Sequence, residues 1–149
     1  MTLNKKYPEA WTLLEGIRVK AMEIDALRER ARRLRARASR ISASYGAHIS
    51  GGPLDREELL AEALDADECA SRVEKQLKDQ TERALKLLSR LPCSVDALAL
   101  KLMYLNGYDA PQLRSALCMS KTSMYRRLTR GFERLEALLA EEGSRERTA

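Results

Sequence analysis

The sequence predicts an all-α protein in which a long antiparallel hairpin of two helices precedes a smaller domain of three helices. The 149 residues are 33% charged and only 5% aromatic, with Leu, Ala, Glu, Arg and Lys abundant. That composition is typical of long paired helices rather than of a sheet. Two long runs of apolar residues then repeat at spacings of three and four. After Pro92 the repeats become shorter and are separated by turn residues. Together these observations favour the all-α class.

The clearest repeat lies in the middle of the chain and predicts the second arm of the hairpin, residues 55–91. Its seam alternates steps of four and three, as in a coiled coil, through Leu59, Ala63, Ala66, Ala70, Val73, Leu77, Gln80, Ala84, Leu87 and Leu91. Asp55 and Glu58 have the spacing of a capping box, which predicts that Asp55 caps the first turn. Leu91 precedes Pro92, and a residue before proline disfavours the helical conformation. The arm is therefore expected to end there.

The first arm is predicted over about residues 8–45, and a connector of residues 46–54 joins it to the second. A similar seam runs through Ala10, Leu14, Ile17, Ala21, Ile24, Leu27, Ala31, Leu34, Ala38, Ile41 and Tyr45. The connector is rich in glycine and cannot continue either helix. Since it is short, residues 1–91 are expected to form an antiparallel hairpin with arms of ~50 Å. Four residues off the seams are expected to pack against the domain that follows: Trp11, Leu13, Leu85 and Leu88.

The most prominent charge run falls within the first arm. Seven arginines lie within residues 28–40, namely Arg28, Arg30, Arg32, Arg33, Arg35, Arg37 and Arg40. A nucleic-acid patch is one interpretation. The hairpin favours another, because Arg28 would lie opposite the region of residue 72 and Arg40 opposite the region of residue 60. That stretch of the second arm is rich in Asp and Glu. We therefore expect ion pairs between the arms, while outward-pointing arginines stay available to DNA.

Residues 92–141 are predicted to form a domain of three helices, and residues 142–149 a disordered tail. Leu98, Leu100, Leu102 and Leu105 fill the first helix, which Asn106-Gly107 ends because glycine accepts a positive φ. Asp109 caps a short second helix, with Pro111 in its first turn and Gln112 at the capping-box position. Cys118-Met119 breaks that helix, and Ser120 caps the third. The order of short helix, tight turn and longer basic helix predicts a helix-turn-helix.

The third helix carries side chains suited to double-stranded DNA. Lys121, Thr122, Tyr125 and Arg126 lie near its N-terminus, the part of such helices that meets base edges in the major groove. Ser123, Arg126, Arg127, Arg130 and Arg134 form a stripe suited to phosphates. The complete set of candidate DNA-binding residues is Lys121, Thr122, Ser123, Tyr125, Arg126, Arg127, Arg130 and Arg134.

Residues 91–139 resemble the fourth conserved region of bacterial sigma-70-type factors. The resemblance rests on Leu91-Pro92, on Tyr104 and Gly107, on Leu117-Cys-Met-Ser120 and on Met124-Tyr-Arg-Arg-Leu128. The whole chain is similar to ArpU- and RinA-type late transcription regulators of phages and prophages, which join a helical hairpin to a sigma-like domain. This resemblance implies a sequence-specific DNA-binding regulator that acts at a promoter. It also implies a sigma-region-four-like fold for the helix-turn-helix domain.

Three positions depart from the sigma pattern. Arg114 replaces a small alanine of the short helix and is expected to extend outward. Cys118 replaces the turn glycine, which is costly if the turn needs a positive φ. Met103 replaces an arginine of the first helix. Base preferences are therefore not carried over from the family.

The same residues also exclude several classes of protein. Cys69, Cys93 and Cys118 form no CxxC pair, and the lone His48 lies in the connector, so neither a zinc site nor another cofactor is expected. No phosphate loop or nucleophile–histidine pairing is present, so an enzyme is not expected. The absence of a signal peptide or a long apolar run predicts a cytoplasmic protein that binds no membrane, and the resemblance implies that the cytoplasm is that of a bacterial host.

The sequence leaves open the protein's binding partners and two alternative functions. Besides DNA, a host RNA polymerase and a second copy of the chain are candidate partners, with the hairpin as a docking or dimerisation arm. One alternative is a packaging protein like a small terminase subunit, which would form rings. Another is a polymerase-binding module that does not contact DNA, for which Arg126 and Arg130 would be dispensable.

Overall fold

The computed structural model describes residues 3–43 and 53–148, and this part of the chain is helical with no strand, which confirms the all-α class. The helices are α1 (Leu3–Lys6), α2 (Pro8–Ala43), α3 (Pro53–Ser89), α4 (Ser94–Leu100), α5 (Ala110–Leu117) and α6 (Lys121–Thr148). A π-helical segment, Lys101–Leu105, follows α4 directly. His48 and most of the predicted connector lie outside the described residues.

The long helices differ from their predicted bounds by a few residues. Helix α3 begins at Pro53, so Asp55 lies in its first turn and is not the N-cap that the sequence predicts. Proline suits this first position because it has no backbone N–H to leave unpaired. At the other end, Arg90 and Leu91 donate backbone hydrogen bonds to the carbonyls of Leu87 and Leu88, three residues back. The last turn thus tightens ahead of Pro92, and the α-helix ends at Ser89.

The chain divides into two compact units that do not follow the predicted boundary between residues 91 and 92. One unit comprises residues 20–77, and the other comprises residues 1–19 together with residues 78–149. Residues 1–19 and 78–91, which the sequence assigns to the hairpin, therefore belong with the C-terminal helices. Each unit has its own apolar core.

In the unit of residues 20–77, α2 and α3 pack against each other in antiparallel orientation, as predicted. Ala31 and Leu34 pack with Ala63 and Ala66. Ile24, earlier in α2, packs with Ala70 and Val73, later in α3. The numbering rises along one helix as it falls along the other, which fixes the antiparallel pairing.

The arginine run pairs largely within this unit, as the hairpin interpretation predicts. Arg28 contacts Asp67 at 3.4 Å and Glu74 at 2.5 Å, and Arg35 also pairs with Asp67. Hydrogen bonding and charge from the Glu74 carboxylate raise the pKa of Arg28. Arg30 reaches Glu62 at 3.8 Å. These pairs are exposed and each contributes only ~0–1 kcal/mol, so they specify orientation more than stability.

Two arginines of the run pair on their own helix instead. Arg32 and Arg33 contact Glu29, three and four residues earlier, at 2.8 and 3.1 Å. Both side chains are largely exposed. The prediction of pairing between the arms therefore holds for Arg28, Arg30 and Arg35 but not for Arg32 and Arg33.

In the unit of residues 1–19 and 78–149, Phe132 of α6 lies at the centre of the core and is 0% exposed. Tyr104 meets its ring edge-on at 5.6 Å between centroids, and Trp11 lies tilted against it at 6.2 Å. Aromatic pairs favour such edge and tilted geometries. The contact between Trp11 and Phe132 confirms that the start of α2 packs on the C-terminal helices.

The other residues expected to pack here behave differently from one another. Leu13 and Leu88 are buried, whereas Leu85 is 39% exposed and lines a surface pocket together with Ala97 and Leu98 of α4. Leu98 was expected inside the first C-terminal helix, yet it is 43% exposed, and Ala99, Leu100 and Tyr104 are buried there instead. Leu102 and Leu105 are half-buried. The buried face thus follows Asp96, Leu100 and Tyr104 at steps of four residues and leaves Leu98 outside.

Helices α4 and α6 approach closely at Gly131. A Cβ atom built on Gly131 would lie 2.8 Å from Cδ1 and 3.1 Å from Cγ of Leu100. Leu100 is itself 0% exposed and has little room to move. The small residue at this crossing therefore sets the distance between the two helices.

The predicted disordered tail of residues 142–149 is instead helical through residue 148. Helix α6 continues to Thr148, and Ala149 lies outside the described residues. Acidic side chains near this end of α6 pair with two arginines: Glu142 lies 3.4 Å from Arg83 of α3, and Glu141 lies 3.9 Å from Arg90, which directly follows α3. These ion pairs supply contacts that sequence periodicity alone does not reveal.

Candidate nucleic-acid interface

Local hydrogen bonds cap the N-terminus of both α5 and α6. The Asp109 carboxylate accepts a hydrogen bond from the Gln112 backbone at 2.8 Å, and the Gln112 side chain accepts one from the Asp109 backbone at 2.9 Å. This is the predicted capping box. At the start of α6, Oγ of Ser120 accepts a hydrogen bond from the Ser123 backbone at 3.2 Å, which confirms Ser120 as the cap.

Cys118 occupies the left-handed conformation that the turn requires. Its φ is 50° and its ψ is 49°, and it is the one non-glycine residue with positive φ in residues 3–43 and 53–148. Cys118 donates to the Ser115 carbonyl and Met119 to the Arg114 carbonyl, the pattern of a Schellman motif. The cysteine thus takes up the positive φ that glycine adopts more readily.

The predicted base-reading residues lie together on the exposed first turns of α6. Lys121, Thr122, Tyr125 and Arg126 are all exposed, and Tyr125 retains 48% of its accessible surface. Met124 and Leu128, on the opposite face, are buried. The apolar face therefore anchors the helix while the polar face remains open to a ligand.

An open groove of about 770 Å³ runs along this polar face. Its lining residues are Thr122, Tyr125, Arg126, Thr129, Arg130 and Glu133. The groove combines hydroxyl groups, an aromatic ring and guanidinium groups, which are the donors and acceptors that read base edges and phosphates.

Two of the predicted phosphate-binding arginines pair with a buried acid. Asp96 of α4 is 0% exposed, and its Oδ1 lies 3.3 Å from Nη1 of Arg127 while its Oδ2 lies 3.3 Å from Nε of Arg130. Nη1 of Arg127 also donates to Sγ of Cys93 at 3.3 Å. Arg127 and Arg130 thus both contact α4, and Arg130, whose side chain is 46% exposed, also lines the open groove beside Arg126.

The remaining stripe residues differ in exposure. Ser123 is exposed, and its backbone N–H is taken by the Ser120 cap. Arg134 is half-buried. All eight predicted residues therefore lie on α6, and two of them, Arg127 and Arg130, also pair with Asp96.

Sequence reasoning missed Asp96 and Phe132. Phe132 follows Leu128 by four residues and precedes Leu135 by three, so the helical repeat itself marks it as inward-facing. No repeat of this kind identifies Asp96 as buried, because an acid in the first turn of a helix ordinarily stays in solvent. Its burial depends on the contact with α6, 31 residues further along the chain.

Comparison of the chain with family models, with curated proteins and with solved structures finds no match. In residues 3–43 and 53–148, no group of three or more His, Cys, Asp or Glu side chains has the arrangement of a metal site. None of the helices in this part of the chain has the length and apolar character needed to cross a bilayer.

Proposed function

We propose that this protein is a sequence-specific, double-stranded DNA-binding regulator of phage or prophage transcription that uses α6 as its recognition helix. The observation that carries the proposal is the exposed polar first turns of α6, which directly follow the capped turn of residues 118–120. A major groove about 12 Å wide accepts one α-helix. The buried face of Met124 and Leu128 leaves the opposite face free for such contact.

The side chains on the open face take different roles in this proposal. Arg126 suits bidentate hydrogen bonds to guanine, while Thr122 and Tyr125 offer hydroxyl groups and apolar surface to neighbouring bases. Lys121 lies at the positive end of the helix, where phosphate is favoured. Ser123 and Arg134 lie on the flank and contribute phosphate contacts that position the helix.

The setting of this activity is also part of the proposal. The resemblance of residues 91–139 to the promoter-reading region of sigma factors supports action at a promoter in the bacterial cytoplasm, with host RNA polymerase as a partner. A second copy of the chain would provide a second recognition helix. Paired half-sites would then raise the affinity above that of one small domain.

Genome-wide binding followed by footprinting tests the proposal. The wild-type protein is expected to protect discrete sites near promoters, and Arg126→Ala is expected to protect them more weakly and with relaxed specificity. Lys75→Ala is a suitable control, because it removes an exposed cation from α3, outside the proposed interface. Binding without any sequence preference would refute the proposal. Ring-shaped oligomers in solution would support the packaging function instead.

A further inference from the structure

We infer that Asp96 is a positioning residue that withholds Arg127 and Arg130 from DNA phosphates. The inference rests on the proposed DNA-binding function and concerns which cationic side chains of α6 are free to contact phosphates. Sequence spacing assigns both arginines to one phosphate-binding stripe. The structure instead pairs them with a carboxylate of α4.

The two carboxylate oxygens of Asp96 serve different arginines. Oδ1 accepts a hydrogen bond from Arg127 at 3.3 Å. Oδ2 has no hydrogen bond among the described residues, and its ion-pair contact there is with Nε of Arg130 at 3.3 Å. If Arg130 moved to a phosphate, the buried Oδ2 would lose that contact.

The exchange of Asp96 for a phosphate is therefore unfavourable for both arginines. The buried group is Asp96, since the side chains of Arg127 and Arg130 are 32% and 46% exposed. An arginine that moved away would leave this carboxylate partly uncompensated, and an uncompensated buried charge is strongly destabilising. A phosphate contact at a solvated surface contributes less favourable interaction energy, because water and salt screen it. Arg127 would also give up its contact with Cys93. Both arginines should accordingly remain on Asp96 when α6 meets DNA.

This arrangement lowers the sequence-independent part of DNA affinity. Each arginine that neutralises a phosphate releases counterions and contributes equally on every sequence. With Arg127 and Arg130 withheld, binding depends more on the base-reading group of Lys121, Thr122, Tyr125 and Arg126. Asp96 thus favours specific over non-specific sites without itself touching DNA.

The salt dependence of DNA binding measures this effect directly. In a fluorescence-anisotropy titration of a labelled duplex at several NaCl concentrations, each added phosphate contact steepens the slope of log K against log salt by ~0.9. Asp96→Asn keeps the size of the side chain but removes its charge. We expect this variant to bind random-sequence DNA more tightly, with a slope steeper by ~0.9 to ~1.8 as one or both arginines become available.

Asp79→Asn is the matched control. Asp79 is exposed on α3, outside the proposed interface, and makes no ion pair among the described residues, so its substitution changes the net charge equally but releases no arginine. We expect only a small gain in affinity and an unchanged slope. Equal slopes for Asp96→Asn and Asp79→Asn would overturn the inference.

Arg130→Gln in the otherwise native chain provides the second test and decides the matter if Asp96→Asn does not fold. We expect this variant to retain the wild-type slope, whereas a slope shallower by ~0.9 would identify Arg130 as a phosphate ligand and overturn the inference. Circular dichroism melting establishes that each variant is folded. If the wild-type protein binds no duplex at low salt, the proposed function itself fails. Wild-type binding with the contrary slopes refutes only the role of Asp96.

Discussion

The carboxylate of Glu136 accepts a hydrogen bond from the backbone N–H of Ala10 at 2.7 Å, although the two residues are 126 positions apart. Its other oxygen accepts a bond from the Glu9 backbone at 3.2 Å. Helix α2 begins at Pro8, so these are N–H groups of its first turn, which have no partner within the helix. A side chain of α6 thus caps α2.

Substitution of Glu136 should therefore destabilise the protein although its side chain is not in the apolar core. Glu136→Ala is expected to lower the free energy of unfolding by about 0.5–2 kcal/mol, the usual effect of losing a helix cap. Urea denaturation provides the measurement. Glu133→Ala removes an exposed acid from the same helix and should change stability far less. Equal effects of the two substitutions would argue against the capping role.

The close approach at Gly131 predicts opposite effects for two similar substitutions in α6. Gly131→Ala should lower stability by about 1–3 kcal/mol, because the new methyl group would overlap the buried Leu100. Gly143→Ala should raise stability by up to about 1 kcal/mol, since alanine favours helix and nothing lies within 4 Å of its Cβ position. Thermal melting distinguishes the two. A higher melting temperature for Gly131→Ala would show that α4 and α6 do not approach this closely.

The left-handed conformation of Cys118 predicts that glycine is the better residue in this turn. Cys118→Gly should stabilise the protein by about 1 kcal/mol, because glycine adopts positive φ without the steric cost of a Cβ atom. Ala116→Gly, two residues earlier within α5, should cost about 1 kcal/mol. Paired chemical denaturation curves compare them. Destabilisation by both substitutions would contradict the positive φ at residue 118.

Burial raises the pKa of the Tyr104 hydroxyl to about 12, and the charge of Glu15 adds to the increase. The unfolded chain loses this proton near pH 10, before the folded protein does, so stability falls as pH rises from about 10 to about 12. Tyr104→Phe should lack this part of the pH dependence. Denaturation of both proteins from pH 8 to 11.5 measures it. An unchanged difference in stability across that range would contradict the raised pKa.

Local chemistry explains why the ends of the C-terminal helices could be predicted from the sequence. Asp109 and Ser120 each cap a helix by a hydrogen bond to a residue three positions further along the chain. The positive φ of Gly107 is likewise a local property of the backbone. Their geometry follows from residue type and spacing alone. The antiparallel pairing of α2 and α3 follows in the same way from two seams and a short connector.

Contacts distant in sequence could not be predicted in this manner. The pairing of Asp96 with Arg127 depends on how α4 crosses α6, and the bond from Ala10 to Glu136 depends on where α2 meets α6. The distance at which α4 crosses α6 is set by the close approach of Gly131 to Leu100. A periodic pattern of apolar residues does not specify such a distance. The positions of the arginines on α6 could accordingly be predicted from the sequence, but the pairing of Arg127 and Arg130 with Asp96 could not.

Selection of bound duplexes from a library of random sequences, followed by sequencing, tests sequence-specific recognition by α6 most directly. The wild-type protein should enrich a defined motif, and Arg126→Ala should lose the preference at one base position while keeping the rest, at a cost of about 1–3 kcal/mol on the preferred site. Lys75→Ala should enrich the wild-type motif unchanged. Failure of the wild-type protein to enrich any motif, or the same motif at full strength from Arg126→Ala, would contradict the proposed role of this helix.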